Sequence, residues 1–265
     1  MPSETRDRIV VYTMHRSGSM LMHRVIRQLV KHSGHRYVTP NQGGDDQVSA
    51  RDFANDPDRW LSHAGCFGPW RLYVPIPRSD DCRIILQLRD PRDVLVSMFY
   101  AYCYSHGGPV PGDTGYRRDV ARAGIDAFAI QMATAGDPPV QGDYGTGADL
   151  WDLAGNLRDR YASYLRFVYG RPNTVLLRYE DAIAEPGAWV RSVAGVLGVD
   201  DPDLLKELTS WTEHKSTFPV RRGEDAWSHR RQVTPGDHRD KLRPQTISQL
   251  NGVFRDVLEA LRYPT

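Results

Sequence analysis

The sequence predicts an α/β fold in which a central parallel sheet is flanked by helices, with a P-loop-like architecture at the strand ends. Residues 9–12 are apolar and precede a Ser/Gly turn, after which apolar residues recur at helical spacing. Residues 83–88 form a second apolar run without polar alternation, which is typical of a buried parallel strand. Asp90-Pro91 then ends that strand and begins a helix. The same order of strand, loop and helix therefore occurs twice.

The turn after the first strand predicts an anion-binding loop. The first backbone N–H groups of a helix have no internal partner, and the helix dipole is positive there, so an anion is stabilised at that end. Gly18 allows the backbone to approach an anion, and Ser17 and Ser19 add hydroxyl groups. Arg16 adds a planar positive charge, and Met20 begins the helix. We therefore expect these five residues to bind a phosphate-like group.

The turn after the second strand predicts another phosphate site. Arg89 falls at the strand end, and Ser97 follows eight residues later, about two helical turns into the next helix. A guanidinium at the strand end and a hydroxyl on that helix are placed to converge on one phosphate.

Together, the two segments resemble the phosphate-binding motifs of sulfotransferases. Arg-x-Pro-Arg-Asp-x-x-x-Ser, from Arg89 to Ser97, is similar to the segment with which that family binds the 3′-phosphate of 3′-phosphoadenosine 5′-phosphosulfate (PAPS). The resemblance continues along the chain to further nucleotide-contacting positions: Tyr179 in Tyr-Glu-Asp, Phe218 as an adenine-stacking ring, and Arg230 or Arg231 in the segment 230–237. It implies transfer of a sulfuryl group from PAPS to a hydroxyl or amine, with release of adenosine 3′,5′-bisphosphate (PAP).

The chain departs from the family pattern at several positions. Gln232 and Val233 stand where Lys and Gly are usual, so Arg231 is the first choice of ligand there and Arg230 the second. Arg16 stands where the cytosolic branch has Lys, and Leu21 where it has an adenine-stacking Trp. Arg16 keeps its charge during transfer and cannot donate a proton near neutral pH, so we expect it to act in catalysis by stabilising charge. The family chemistry requires no metal, and we predict none.

The catalytic base is less clearly marked. The cytosolic branch carries a His in Lys-Thr-His-x-Pro before the second phosphate motif, and His63 is the nearest candidate here. His106, beyond the helix of that motif, is the second candidate. Other candidates remain open, namely His15, His23, Asp45 and Asp46.

Composition bounds the remaining predictions. A chain of 265 residues with 40% hydrophobic content can bury a full core, so residues 1–265 are predicted to form one domain. The Gly/Pro-rich stretch around residues 105–148 is predicted to be a flexible acceptor-site insertion, since long loops in compact domains are usually functional or disordered. The formal net charge of +1 argues against a nucleic-acid partner. Three irregularly spaced Cys and the lack of an apolar run of membrane-spanning length predict a cytoplasmic protein with a small-molecule acceptor. A homodimer is left open.

Two alternatives to a sulfotransferase remain. A P-loop kinase would need the Gly-Lys-Ser/Thr end of its loop, which is missing here, and magnesium. A catalytically inactive nucleotide-binding protein is kept open because the Lys-Thr-His segment is missing.

Overall fold

The computed structural model describes residues 8–105, 114–135, 156–216 and 234–265. The chain divides into two compact units, one of residues up to 88 with 163–216, and the other of residues 89–162 with those after 216. The candidate residues His106, Phe218, Arg230 and Arg231, and residues 106–113 and 136–148 of the stretch 105–148, lie outside the described residues.

The first unit contains a six-stranded sheet in the order β3-β2-β4-β1-β5-β6. All the strand pairs are parallel. The strands are β1 (Arg8–Thr13), β2 (Arg36–Thr39), β3 (Asp46–Gln47), β4 (Gly65–Trp70), β5 (Arg83–Leu88) and β6 (Thr174–Arg178). The predicted α/β class with a parallel sheet is confirmed.

Helices occur in both units. The helices are α1 (Ser19–Ser33), α2 (Ala50–Asn55), α3 (Pro57–Leu61), α4 (Pro91–Tyr100), α5 (Thr114–Thr134), α6 (Leu157–Phe167), α7 (Tyr179–Ala184), α8 (Pro186–Leu197), α9 (Pro202–Ser216), α10 (His238–Lys241), α11 (Pro244–Val253) and α12 (Arg255–Ala260). Gly124 interrupts α5 with a non-helical backbone conformation. In the part of the chain that the structure describes, no helix has the length and apolar character needed to cross a bilayer.

The core of the first unit follows from side-chain alternation on the central strand. Ile9 and Val11 of β1 point to one face, where they join the buried apolar residues of α1 and α8. Val10 and Tyr12 point to the opposite face and are equally buried. Because both faces of β1 are covered, its central residues 9–12 are all apolar rather than alternating with polar ones.

The parallel register brings the loops after the strands to one edge of the sheet. Thr13, the last residue of β1, pairs with Gln87 of β5, and Tyr12 pairs with Trp70, the last residue of β4. Arg178, the last residue of β6, pairs with Leu88. The segments after β1, β4 and β6 therefore leave the sheet at the same, carboxyl edge.

Candidate active site

The loop between β1 and α1, residues 14–18, is called the anion loop below. It makes a tight turn in which the Ser17 N–H donates to the Met14 carbonyl over 3.2 Å. Arg16 and Gly18 both have left-handed backbone conformations, with φ of 62° and 81°. The Met22 N–H donates to the Gly18 carbonyl and so makes the first helical bond of α1. The preceding N–H groups at the start of α1 have no partner within the helix, and an anion is stabilised there.

Ser17 supports the loop from inside. It is fully buried, and its hydroxyl donates to the Met14 carbonyl over 2.6 Å while accepting the Met14 N–H over 3.0 Å. The N–H and O–H groups of Ser17 are thus both used within the turn. The structure does not present Ser17 to an anion, although the sequence pattern places it among the ligands.

A buried glutamine holds the loop from below. Gln87 of β5 is fully buried, and its Nε2–H donates to the Ser17 carbonyl over 2.7 Å. Its Oε1 accepts the Trp189 Nε1–H over 2.9 Å, and its backbone carbonyl accepts the Met14 N–H. Sequence analysis did not select Gln87. The one signal available was a polar residue within an otherwise apolar strand.

Tyr179 packs against the anion loop. A Cβ added to Gly18 would lie 2.8 Å from Tyr179 Cδ2 and 3.3 Å from Gln87 Nε2. Tyr179 is the first residue of α7, and the Asp181 carboxylate fixes that turn by accepting from the Arg178 guanidinium over 2.6 Å. The structure therefore brings Tyr179 to Gly18 across a sequence separation that no local pattern could bridge.

Arg71 is a cationic neighbour of the loop that the sequence motifs do not include. It directly follows β4, and its Nε–H donates to Ser19 Oγ over 3.2 Å. Its Nη2 lies 3.6 Å from Met20 Sδ and 3.5 Å from Asn41 Oδ1. A guanidinium thus stands beside the first two residues of α1. Its signal in the sequence was a lone Arg at the end of a strand.

The structure does not bring His63 to the anion loop. His63 precedes β4, whose first residue, Gly65, pairs with Arg8, the first residue of β1. It therefore lies at the amino edge of the sheet, about 20 Å from the carboxyl edge for a six-residue strand. Its side chain is exposed, and its Nδ1 bonds to Ser62 Oγ over 2.6 Å.

The other candidate bases in this unit have structural contacts. His23 is buried, bonds to Tyr37 Oη and the Gln42 carbonyl, and has a pKa lowered chiefly by burial. The Asp45 carboxylate accepts the Tyr37 N–H over 2.7 Å, and Asp46 pairs with Arg36. His15 is buried within the anion loop.

The second phosphate motif lies in the other unit, at the start of α4. Arg89 is buried, and its Nη2 lies 3.6 Å from an oxygen of Asp93. Its backbone carbonyl accepts the Tyr161 hydroxyl over 2.6 Å. Ser97 is partly exposed and lies one turn after Asp93, on the same face of α4. Asp93 and Ser97 therefore lie on one side of α4, and the Arg89 guanidinium lies beside Asp93.

Asp93 ties the C-terminal segment to α4. Its carboxylate accepts the Gly236 N–H over 2.7 Å and, from His238, the backbone N–H over 3.0 Å and Nδ1–H over 2.7 Å. Burial alone would raise the pKa of Asp93, but the His238 hydrogen bond, the Arg89 charge and the two N–H groups lower it to about 2. The ionised carboxylate thus holds residues 236–238 against α4.

Arg92 of the same motif has a structural role. Its guanidinium is buried and donates to the Asp90 carboxylate over 2.6 and 3.0 Å. It also donates to Asn251 Oδ1 and to the Pro264 carbonyl. Arg92 therefore fixes the start of α4 to the C-terminal helices and is committed to protein partners.

A comparison with protein families decides the identity. A family model described as the sulfotransferase domain matches residues 69–262, which is more than half of the chain. The chain belongs to the sulfotransferase family. It is therefore an enzyme of PAPS-dependent sulfuryl transfer, and the predicted activity and donor are confirmed. The family match includes Arg89, Ser97 and Tyr179 and begins after the anion loop.

Solved structures share the fold of this sulfotransferase. Mouse sulfotransferase SULT7A1 complexed with PAP is 16% identical, with a TM-score of 0.62, covering 99% of this chain and 86% of that one. Retinol dehydratase in complex with androsterone and inactive cofactor PAP is 14% identical, with a TM-score of 0.52, covering 97% and 82%. The same enzyme in a complex with retinol and PAP is 15% identical, with a TM-score of 0.51 and the same coverage. No curated protein matches the sequence significantly.

The described residues offer no cluster of three or more His, Cys, Asp or Glu side chains suited to holding a metal ion. Metal independence remains a prediction from the family chemistry.

Proposed function

We propose that this sulfotransferase transfers the sulfuryl group of PAPS to a hydroxyl or amine of a small-molecule acceptor and releases PAP. The observation that carries the site assignment is the anion loop, which a buried amide and a buried Tyr hold at the start of α1. The donor set there, of helix N–H groups and two Arg residues, suits a doubly anionic phosphosulfate.

On the 5′ side, we assign the N–H groups of Gly18, Ser19 and Met20 and the side chain of Arg16 to the phosphosulfate. Arg71 is added to this set because its guanidinium contacts Ser19 and Met20. During transfer, the bond from sulfur to the phosphate oxygen breaks and negative charge grows on that oxygen. Fixed cations and N–H groups aimed at this oxygen lower the barrier most, because they need no rearrangement as the charge develops.

On the 3′ side, we assign Arg89 and Ser97 to the 3′-phosphate. The place of the Arg89 guanidinium beside Asp93, with Ser97 one turn further along α4, supports this choice. Arg231, then Arg230, and the adenine-stacking Phe218 remain proposals from the family resemblance. The bond from Asp93 to Gly236 supports a role for the C-terminal segment in this motif.

For the acceptor we propose a chemical class, and for the catalytic base a candidate residue. The retinol dehydratase structures hold androsterone and retinol, which supports a small apolar alcohol as the first acceptor class to test. As the new oxygen–sulfur bond forms, the acceptor proton must pass to a base. His63 lies at the far edge of the sheet, so His106 is our candidate base.

The remaining assignments concern the protein as a whole. We propose one sulfotransferase domain with an acceptor-site insertion around residues 105–148, because the family match includes residues of both units. A cytoplasmic location is supported by Cys66, Cys82 and Cys103, which are buried thiols. A homodimer also remains a proposal.

Calorimetric titration of the protein with PAP, ATP and ADP, each with and without magnesium, tests the nucleotide assignment. We expect binding of PAP in preference to ATP and ADP, independent of magnesium. Magnesium-dependent binding of ATP in preference to PAP would overturn the proposal. Release of PAP from PAPS across a panel of alcohols, phenols and amines then tests turnover. Binding of PAP without any release would favour the catalytically inactive alternative.

A further inference from the structure

Gln87 is a fully buried polar residue that belongs to neither phosphate motif. Its amide spans from the anion loop to the Trp189 indole, donating to the Ser17 carbonyl over 2.7 Å and accepting from Nε1 over 2.9 Å. The two partners fix the amide in one orientation, since the reverse would place oxygen against oxygen and N–H against N–H. Burial of this amide among apolar residues would be costly if either bond were lost.

The bond to Ser17 has a geometric consequence for the loop. In a trans peptide, the carbonyl and the following N–H point in opposite directions. Because Gln87 draws the Ser17 carbonyl towards the sheet, the Gly18 N–H points away from the sheet. That direction is the one required of a donor to an anion at the start of α1.

We propose that Gln87 is a positioning residue for the 5′-phosphosulfate, acting by setting the orientation of the Ser17–Gly18 peptide. The inference rests on the proposed function of the anion loop and extends it to a residue outside the loop. Trp189 of α8 contributes to this positioning, because its indole N–H donates to Gln87 Oε1 and so fixes the orientation of the amide. Trp189 is itself buried in the core that α8 shares with α1.

The test compares two ligands that differ only in the 5′-phosphate, namely PAP and adenosine 3′-monophosphate. The ratio of their affinities measures what the anion loop contributes. Gln87→Met keeps the length and approximate volume of the side chain but removes both hydrogen bonds that the amide makes. We expect this ratio to fall about tenfold in Gln87→Met, with the affinity for adenosine 3′-monophosphate unchanged.

A matched control separates positioning from general destabilisation. Val193→Ala removes volume from the fully buried core face of α8, one turn after Trp189, and leaves both hydrogen-bond partners of the Gln87 amide in place. We expect it to lower Tm while leaving the affinity ratio at the wild-type value. An unchanged ratio in Gln87→Met, or an equal fall in Val193→Ala, would overturn the inference.

If Gln87→Met does not fold, Trp189→Phe tests the same positioning role. This substitution removes the indole N–H and keeps an aromatic ring. The ratio of the affinities for PAP and adenosine 3′-monophosphate should therefore fall, by a smaller factor than when both hydrogen bonds of the Gln87 amide are lost. An unchanged ratio there would likewise refute the positioning role. Failure of the proposed function has a different signature, because wild type would then bind PAP no better than adenosine 3′-monophosphate.

Discussion

Replacement of Gly18 by Ala tests how the anion loop is built. A Cβ at this position would lie 2.8 Å from Tyr179 Cδ2, closer than such atoms approach in folded proteins, and a tight 3.1 Å from Cε2. The backbone there also has a φ of +81°, which costs an L-residue about 1 to 2 kcal/mol. Overpacking against a buried ring adds about 1 to 3 kcal/mol. We therefore expect Gly18→Ala to lower the free energy of unfolding by about 2 to 5 kcal/mol.

Gly34 provides the matched control for this substitution. It ends the same helix with a φ of +71°, and a Cβ added there would meet no atom within 4 Å. Gly34→Ala should therefore cost only the backbone term of about 1 to 2 kcal/mol. The difference between the two variants isolates the contact between the anion loop and Tyr179.

Urea unfolding gives both free energies, and calorimetry with PAP reports the effect on the site. Gly18→Ala should weaken PAP binding, because the Tyr179 ring and the loop cannot both keep their positions. Gly34→Ala should leave PAP binding at the wild-type level. Equal losses of stability in the two variants, with PAP affinity unchanged in Gly18→Ala, would refute the packing argument.

Three further predictions concern the second phosphate motif. Arg89→Ala should weaken PAP by roughly 2 to 4 kcal/mol in calorimetry, through loss of two charge-assisted hydrogen bonds, and unchanged affinity would exclude it as a ligand. Ser97→Ala should reduce the preference for PAP over adenosine 5′-monophosphate, whereas a preserved preference would remove Ser97 from the 3′-phosphate site. The pKa of the Asp93 carboxylate is lowered from the ordinary 3.8 to about 2. At a pH above 3.8 the ionised carboxylate therefore stabilises the folded state by about 2 kcal/mol, and this stabilisation is lost as the pH falls through about 2. Urea unfolding of wild type and Asp93→Asn should therefore show a stability gap that narrows between pH 4 and 2, and a constant gap would contradict the role of the charge.

Local sequence patterns predicted several of the strands, turns and helix starts. Residues 83–88 were predicted to form a buried parallel strand and do so as β5, because a strand covered on both faces is mostly apolar. The Gly18 turn was predicted as the start of a helix and is the residue that precedes α1. Asp90 accepts the Arg92 N–H at the start of α4, as its place before Pro91 predicts.

Side-chain roles within the motifs were less visible in the sequence. Ser17 and Ser19 have the same chemistry and lie two residues apart, but Ser17 is turned into the loop while Ser19 contacts Arg71. Arg92 and Arg89 also have different partners, since Arg92 donates to Asp90 whereas the Arg89 guanidinium lies beside Asp93. Which of two like residues faces a ligand depends on backbone direction and on partners distant in sequence, which a motif does not encode.

From the sequence alone, the resemblance of two short motifs indicated the family, and the apolar runs predicted the parallel sheet, because both are local features of the chain. Only the tertiary structure placed Tyr179, Gln87 and Arg71 around the anion loop, and moved His63 to the opposite edge of the sheet. The physical reason is the parallel register. It brings the carboxyl ends of strands far apart in sequence to one edge, and it places a residue before a strand at the other edge, regardless of how close the two are in sequence.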